Sequence, residues 1–95
     1  MKFAAIIEYT PDKAKILELR PPHREYLAGL RKAGKIAMAG PFHDDSGGLI
    51  VYEADSKEEV EKLMAADPFG KGGVFVSWSI RAWNLIWIQQ DLMPV

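Results

Sequence analysis

The sequence contains no cysteine. Disulfides, thiolate nucleophiles and cysteine-based metal sites are therefore excluded. A chain without disulfides suits a reducing compartment, so a cytoplasmic location is expected. Long apolar runs are also missing. The N-terminal run of Phe3, Ala4, Ala5, Ile6 and Ile7 stops at Glu8, too short for the apolar region of a signal peptide. No stretch approaches the ~20 apolar residues of a membrane span, and a soluble chain with no membrane partner is expected. Charge of one sign is lacking too, with 12 basic and 13 acidic residues giving a net −1. Nucleic acid is not expected as a partner, because phosphate neutralisation needs a basic stripe. There is no internal repeat and no low-complexity segment.

What is present is the composition of a packed domain: 48% hydrophobic and 11% aromatic residues in 95. A chain this short forms one domain and buries only about two-thirds of the surface its unfolded form exposes. The apolar fraction is generous for a lone small domain and points to a homodimer or higher homo-oligomer.

Phe3 to Tyr9 reads as a strand covered on both faces, closed by Thr10-Pro11-Asp12. Asp12 to Leu19 is weakly helical. Because proline is tolerated only in the first turn of a helix, the main first helix is expected from Pro21 to about Ala33. Gly34 follows as a C-terminal stop. The inward stripe of this helix is His23, Tyr26, Leu27 and Leu30. Ile36–Phe42 and Leu49–Ala54 read as strands joined by the polar loop His43–Gly48. Ser56 and Glu59 make a capping box for a second helix reaching about Asp67, with Val60, Leu63, Met64 and Asp67 inward. Val74 to Trp83 is the last strand. Strict alternation sends Val74, Val76, Trp78 and Ile80 one way and Phe75, Ser77, Ser79 and Arg81 the other. Leu85 to Ile88 stays apolar, so the tail, residues 85–95, is expected to dock on the domain or a neighbouring subunit.

The order strand–helix–strand–strand–helix–strand predicts an α+β fold: a ferredoxin-like βαββαβ, with a four-stranded antiparallel sheet and two helices on one face. The bare sheet face would be covered by a second copy.

Two polar residues share the inward stripes. His23 can be a core histidine satisfied by a carbonyl or water, or a general acid or base. Asp67 can be an Asp-Pro helix stop, although a carboxylate in a last helical turn opposes the dipole. Side by side over one sheet, the two would form a pair in which the carboxylate orients the imidazole. No motif positions a serine nucleophile, leaving proton transfer. Arg20, beside this turn, either holds a substrate carboxylate or pairs structurally. Gly40 and Pro41 either admit a substrate to the backbone or simply bend a strand end. His43, Asp44 and Asp45 are metal-ligand types, but neighbours in sequence rarely converge on one ion, and no metal is expected. Trp78, Trp83 and Trp87 suit core or interface, with ring stacking on a substrate as the alternative.

Arg20-Pro21-Pro22-His23 resembles the Arg-Pro-Ala-His segment of YciI-like (YCII-related) proteins. Gly34, Ala39-Gly40-Pro41, Gly48, Ser56, Ala66-Asp67-Pro68-Phe69 and Gly73-Val74 continue the likeness in order over residues 1–84. The resemblance implies a dimeric α+β barrel with a His/Asp centre on His23 and Asp67. It also implies a small-molecule substrate, since one branch of the family is a dehydrochlorinase of chlorinated hydroxyquinols and similar barrels include muconolactone isomerase. A cofactor-free lyase or isomerase acting on a small, aromatic-derived anion is the function this suggests. The alternatives are a non-catalytic ligand-binding or dimerisation module and a cofactor-free monooxygenase. The loop from Pro41 to Gly48 is shorter than in some members, and the tail beyond Asn84 is longer and more apolar.

Overall fold

A computed structural model describes residues 1–94. Its elements are β1 (Lys2–Tyr9), α1 (Lys13–Lys32), β2 (Ile36–Pro41), β3 (Gly47–Glu53), α2 (Lys57–Ala66), α3 (Pro68–Lys71) and β4 (Phe75–Trp83), with a short 3-10 turn at Gln90–Leu92. The four strands form one antiparallel sheet in the order β2-β3-β1-β4. Each helical connection thus steps over a strand already in place, as the split βαββαβ pattern requires.

β1 alternates. Phe3, Ala5, Ile7 and Tyr9 are buried beneath the helices, whereas Ile6 is 45% exposed and Glu8 faces solvent. The expectation of two covered faces is therefore corrected within this chain: one face is core and the other is open. Ile50 and Tyr52 of β3, Ile16 of α1, Val60 and Met64 of α2 and Phe69 of α3 complete the core with Phe75 and Ile80. Each large apolar side chain removed from water contributes about 1.5–3 kcal/mol.

The first helix begins earlier than its prolines suggested. It starts at Lys13, where Asp12 caps it by accepting from the Lys15 N–H, and runs through Pro21 and Pro22 without ending. The two prolines withhold donors from the carbonyls of Leu17 and Glu18 four residues back. Both of those residues lie on the exposed face, where water can satisfy the carbonyls. Ile16, Leu19 and His23 hold the opposite face on the core. Burial outweighs the local preference. The helix then stops as foreseen: Gly34 at φ 75° lets its own N–H reach the Arg31 carbonyl and the Lys35 N–H reach that of Leu30, a Schellman closure.

Two further expectations are corrected. In β4, Glu8 pairs with Ser77 but Tyr9 with Phe75, which leaves Val76 as an extra residue in a bulge. A bulge inverts the alternation beyond it, so Phe75 and Ile80 both reach the core although five residues apart. The second helix ends at Ala66, not Asp67. Asp67 is extended (φ −66°, ψ 135°) and caps the separate turn α3. Asp67 thus caps both elements, following α2 and opening α3, where its carboxylate accepts from the Phe69 N–H.

Candidate functional site

The polypeptide between α2 and α3 turns sharply, and that corner carries Asp67. Pro68 occupies the first position of α3, where its missing N–H costs nothing. Gly70 permits the close return: a Cβ there would lie 2.0 Å from the Met64 carbonyl oxygen. Asp67 Oδ1 accepts from the Phe69 N–H at 2.8 Å, which fixes the carboxylate plane. α1 packs against α3, and α3 against α2. The short turn is therefore the mediator between the two long helices, a part that the sequence did not separate from α2.

From α1, immediately after the two prolines, His23 points into this corner. Its Nδ1 lies 2.7 Å from Asp67 Oδ1. Asp67 has no exposure and His23 only 6%. The imidazole lies flat on the Phe69 ring, with centroids 3.8 Å apart and planes within 4°, while Phe75 meets it edge-on at 6.0 Å. Stacking and the carboxylate together leave the imidazole one orientation. Among the described residues Nε2 has no protein partner, and it is not one of the fully buried unpartnered side-chain atoms, which are Asp67 Oδ2, Tyr52 Oη and Arg20 Nη2. The ring itself lines a cleft.

That cleft, ≈ 770 Å³, lies between α1 and the β2 edge of the sheet. Arg20, His23, Gly40 and Pro41, singled out from the sequence, line it together with Tyr9 and Phe69. Asp67 reaches it only through His23. Burial raises the Tyr9 hydroxyl pKa, and Arg20 partly opposes this; Tyr9 is a neutral donor at ordinary pH. Arg20 is partly committed elsewhere, for its Nη2 stands 3.0 Å from Asp45 Oδ1 in the β2–β3 loop, an ion-pair contact without hydrogen-bond geometry.

Other residues of the cleft escaped the sequence reading. Arg24 and Arg31 line it from α1; their spacing from Arg20 and His23 on a helix was the available signal. Phe69 stood inside the Ala-Asp-Pro-Phe run, but nothing in a linear pattern announces a ring stacked on an imidazole. Leu85, Ile88 and Met93 of the tail also reach the cleft.

His43, Asp44 and Asp45 do not converge: His43 is exposed and Asp44 accepts from the Ser46 N–H. Among the described residues no group of three or more His, Asp or Glu is placed to share an ion. Nor is any helix among them long and apolar enough to cross a membrane. A depression of ≈ 830 Å³ at the C-terminal end of β1, lined by Glu8, Lys13, Asp44 and Ser77 among others, shares Tyr9 with the histidine cleft but includes neither His23 nor Asp67. Trp78 borders it, Trp83 ends β4 and Trp87 is 87% exposed; none of the three lines the histidine cleft.

Comparison with known proteins places this geometry in a family. The chain is 40% identical over 63 residues to the uncharacterised protein YjpA of Bacillus subtilis (strain 168), covering 66% of this chain and 73% of that protein. The structure resembles 5-chloro-2-hydroxyhydroquinone dehydrochlorinase of Burkholderia phenoliruptrix AC1100, solved in complex with 2,5-dihydroxybenzoquinone. The TM-score is 0.77 at 28% identity over 88% of this chain and 94% of that one. The YCII-related domain family matches residues 1–84, and the chain belongs to it.

Proposed function

We propose that the chain is a cofactor-free acid–base enzyme in which His23 moves the proton and Asp67 orients it. One observation carries this reading: a fully buried carboxylate 2.7 Å from Nδ1 of an imidazole that lines a cleft. An aspartate accepting from Nδ1–H holds the tautomer in which Nε2 is the free base. The substrate is a small anion derived from an aromatic ring, with lyase-type elimination as the reaction. Nε2 takes the proton of a ring hydroxyl and returns it to the ring carbon bearing the leaving group, the O–H pair becoming a C=O bond and a ring π pair the new C–H bond. It then takes a second hydroxyl proton, whose electron pair forms a second C=O bond while the ring electrons shift and the leaving group departs with its bonding pair. The imidazolium then releases its proton to water. Arg20 faces the anionic group, and Gly40 and Pro41 shape the floor where a substrate meets backbone. The likeness to a dehydrochlorinase at 28% identity supports elimination over other proton transfers.

The active species is a cytoplasmic homodimer. The sheet face turned away from the helices, with Ile6 exposed on it, is the surface a second copy would cover, and residues 85–95 act as an appendage to the domain of residues 1–84. Sedimentation at micromolar concentration checks the assembly: a monomer would remove this part of the reading.

The test of function is turnover of chlorinated hydroxyquinols, followed by chloride release. His23→Ala should abolish release, while circular dichroism shows an unchanged fold. Release by the variant at the wild-type rate removes the acid–base role. A second reading, capture without catalysis, draws on the commitment of Arg20 to Asp45; it predicts binding of the same compounds with no chloride from either protein.

A further inference from the structure

The histidine cleft has two unlike walls. Along α1 stand Arg20, Arg24 and Arg31, and among the described residues no Asp or Glu side chain lines the cleft; Arg20 is offset from outside it by Asp45, 3.0 Å away. Arg24 and Arg31 take part in no ion pair among those residues. The tail contributes Leu85, Ile88 and Met93 to the lining of the cleft. They are 36%, 51% and 45% exposed, against 76% and 87% for the intervening Ile86 and Trp87, so they are the better-covered apolar residues of that stretch. All three lie beyond residue 84, where the family match ends.

We infer that the tail is the specificity wall of the cleft, and that the ligand is an amphipathic anion: a carboxylate or comparable acid group on α1's arginines and a hydrocarbon ring on Leu85, Ile88 and Met93. The inference rests on reading this cleft as the ligand site and adds the class of ligand. Guanidinium groups bind acid groups through paired donors, and the two arginines without an ion pair, Arg24 and Arg31, favour an anion before any contact forms. Leu85 and Ile88 carry no side-chain donor or acceptor and Met93 only a weakly accepting thioether, so these residues select chiefly for apolar area.

Calorimetric titration with acetate, 2-naphthoate and the uncharged 2-naphthalenemethanol separates the two walls. In the whole chain, 2-naphthoate should bind about tenfold or more tighter than either of the others, since a buried ring and a paired charge are each sufficient for a factor of that size. A chain ending at Asn84 should lose the preference for naphthoate over acetate. Leu85→Ser with Ile88→Ser in the full chain should do the same, and serves if the shortened chain does not fold. Arg24→Gln with Arg31→Gln should lose the preference over the alcohol. Equal affinity for the three compounds, or selectivity untouched by the tail variants, overturns the inference. Its failure is distinct from failure of the enzyme reading. Chloride release that depends on His23, with no selectivity in the titrations, sinks this inference alone. Selective binding without any turnover sinks only the enzyme.

Discussion

His23 and Phe69 lie ring on ring, 3.8 Å between centroids and 4° between planes. The same backbone turn that supplies Phe69 supplies Asp67, so a single corner of the chain determines both the tilt of the imidazole and the hydrogen bond to its Nδ1.

Replacing Asp67 by asparagine keeps the shape of the corner and removes the charge. The amide oxygen, in the place of Oδ1, can go on accepting from the Phe69 N–H and from Nδ1–H, but the negative charge that stabilises the imidazolium is lost. Turnover should fall by about 10²–10⁴-fold while the thermal midpoint changes little. A loss of only two- or three-fold in kcat would show that the carboxylate charge has no part in the proton transfer.

Phe69→Ala would leave a cavity under the imidazole. Truncating a buried phenylalanine costs about 3–5 kcal/mol, and Phe69 is almost wholly enclosed. Urea unfolding should show the loss. Phe69→Leu should recover much of the stability but not the stack, so a normal urea midpoint with impaired turnover is the outcome that separates packing from orientation.

Gly70→Ala adds one methyl group where the Met64 carbonyl already stands 2.0 Å from the Cβ position. Backbone cannot yield as a side-chain tip can, and a cost of about 1–3 kcal/mol follows. The corner must open to make room, drawing Asp67 from His23. Nitrogen-15 shifts of the His23 ring, alongside thermal melting, should record both effects; a variant as stable as the parent would mean the junction is looser than its geometry.

Alkali should unfold the protein early. Burial, reinforced by the nearby Asp67 charge, drives the Tyr52 pKa far above its ordinary value of 10.0, and burial raises Tyr9 as well. A folded-state pKa above the unfolded one stabilises fully below about pH 10 and progressively less above it. Each such tyrosine held protonated removes about 1.4 kcal/mol per pH unit in that range. Tyr52→Phe should flatten the fall in urea midpoint between about pH 10 and 11; an unchanged slope would exclude Tyr52 as its source.

The sequence made the fold readable because its periods were clean. Val60, Leu63 and Met64 had helical spacing, β1 had strand composition and Gly34 stood where a helix should close. His23 and Asp67 were visible as polar residues on apolar stripes. What stayed hidden was set by distant packing. Pro21 and Pro22 argued locally against the helix that the burial of Ile16, Leu19 and His23 sustains. The Val76 bulge depends on pairing with β1, which no property of β4 announces. Asp67 ends one helix and begins the next turn, a distinction of one ψ angle. Arg24 and Arg31 had helical spacing from Arg20 as their only signal, and where the tail docks was set by tertiary placement.

The paired prolines of α1 also divide that helix as a mechanical object. With two consecutive rungs absent from its ladder at Pro21 and Pro22, fraying that begins at Lys13 meets a seam before it meets His23. The segment bearing Arg20 can therefore breathe toward Asp45 at the cleft mouth, while the imidazole one turn onward stays seated on its aromatic base.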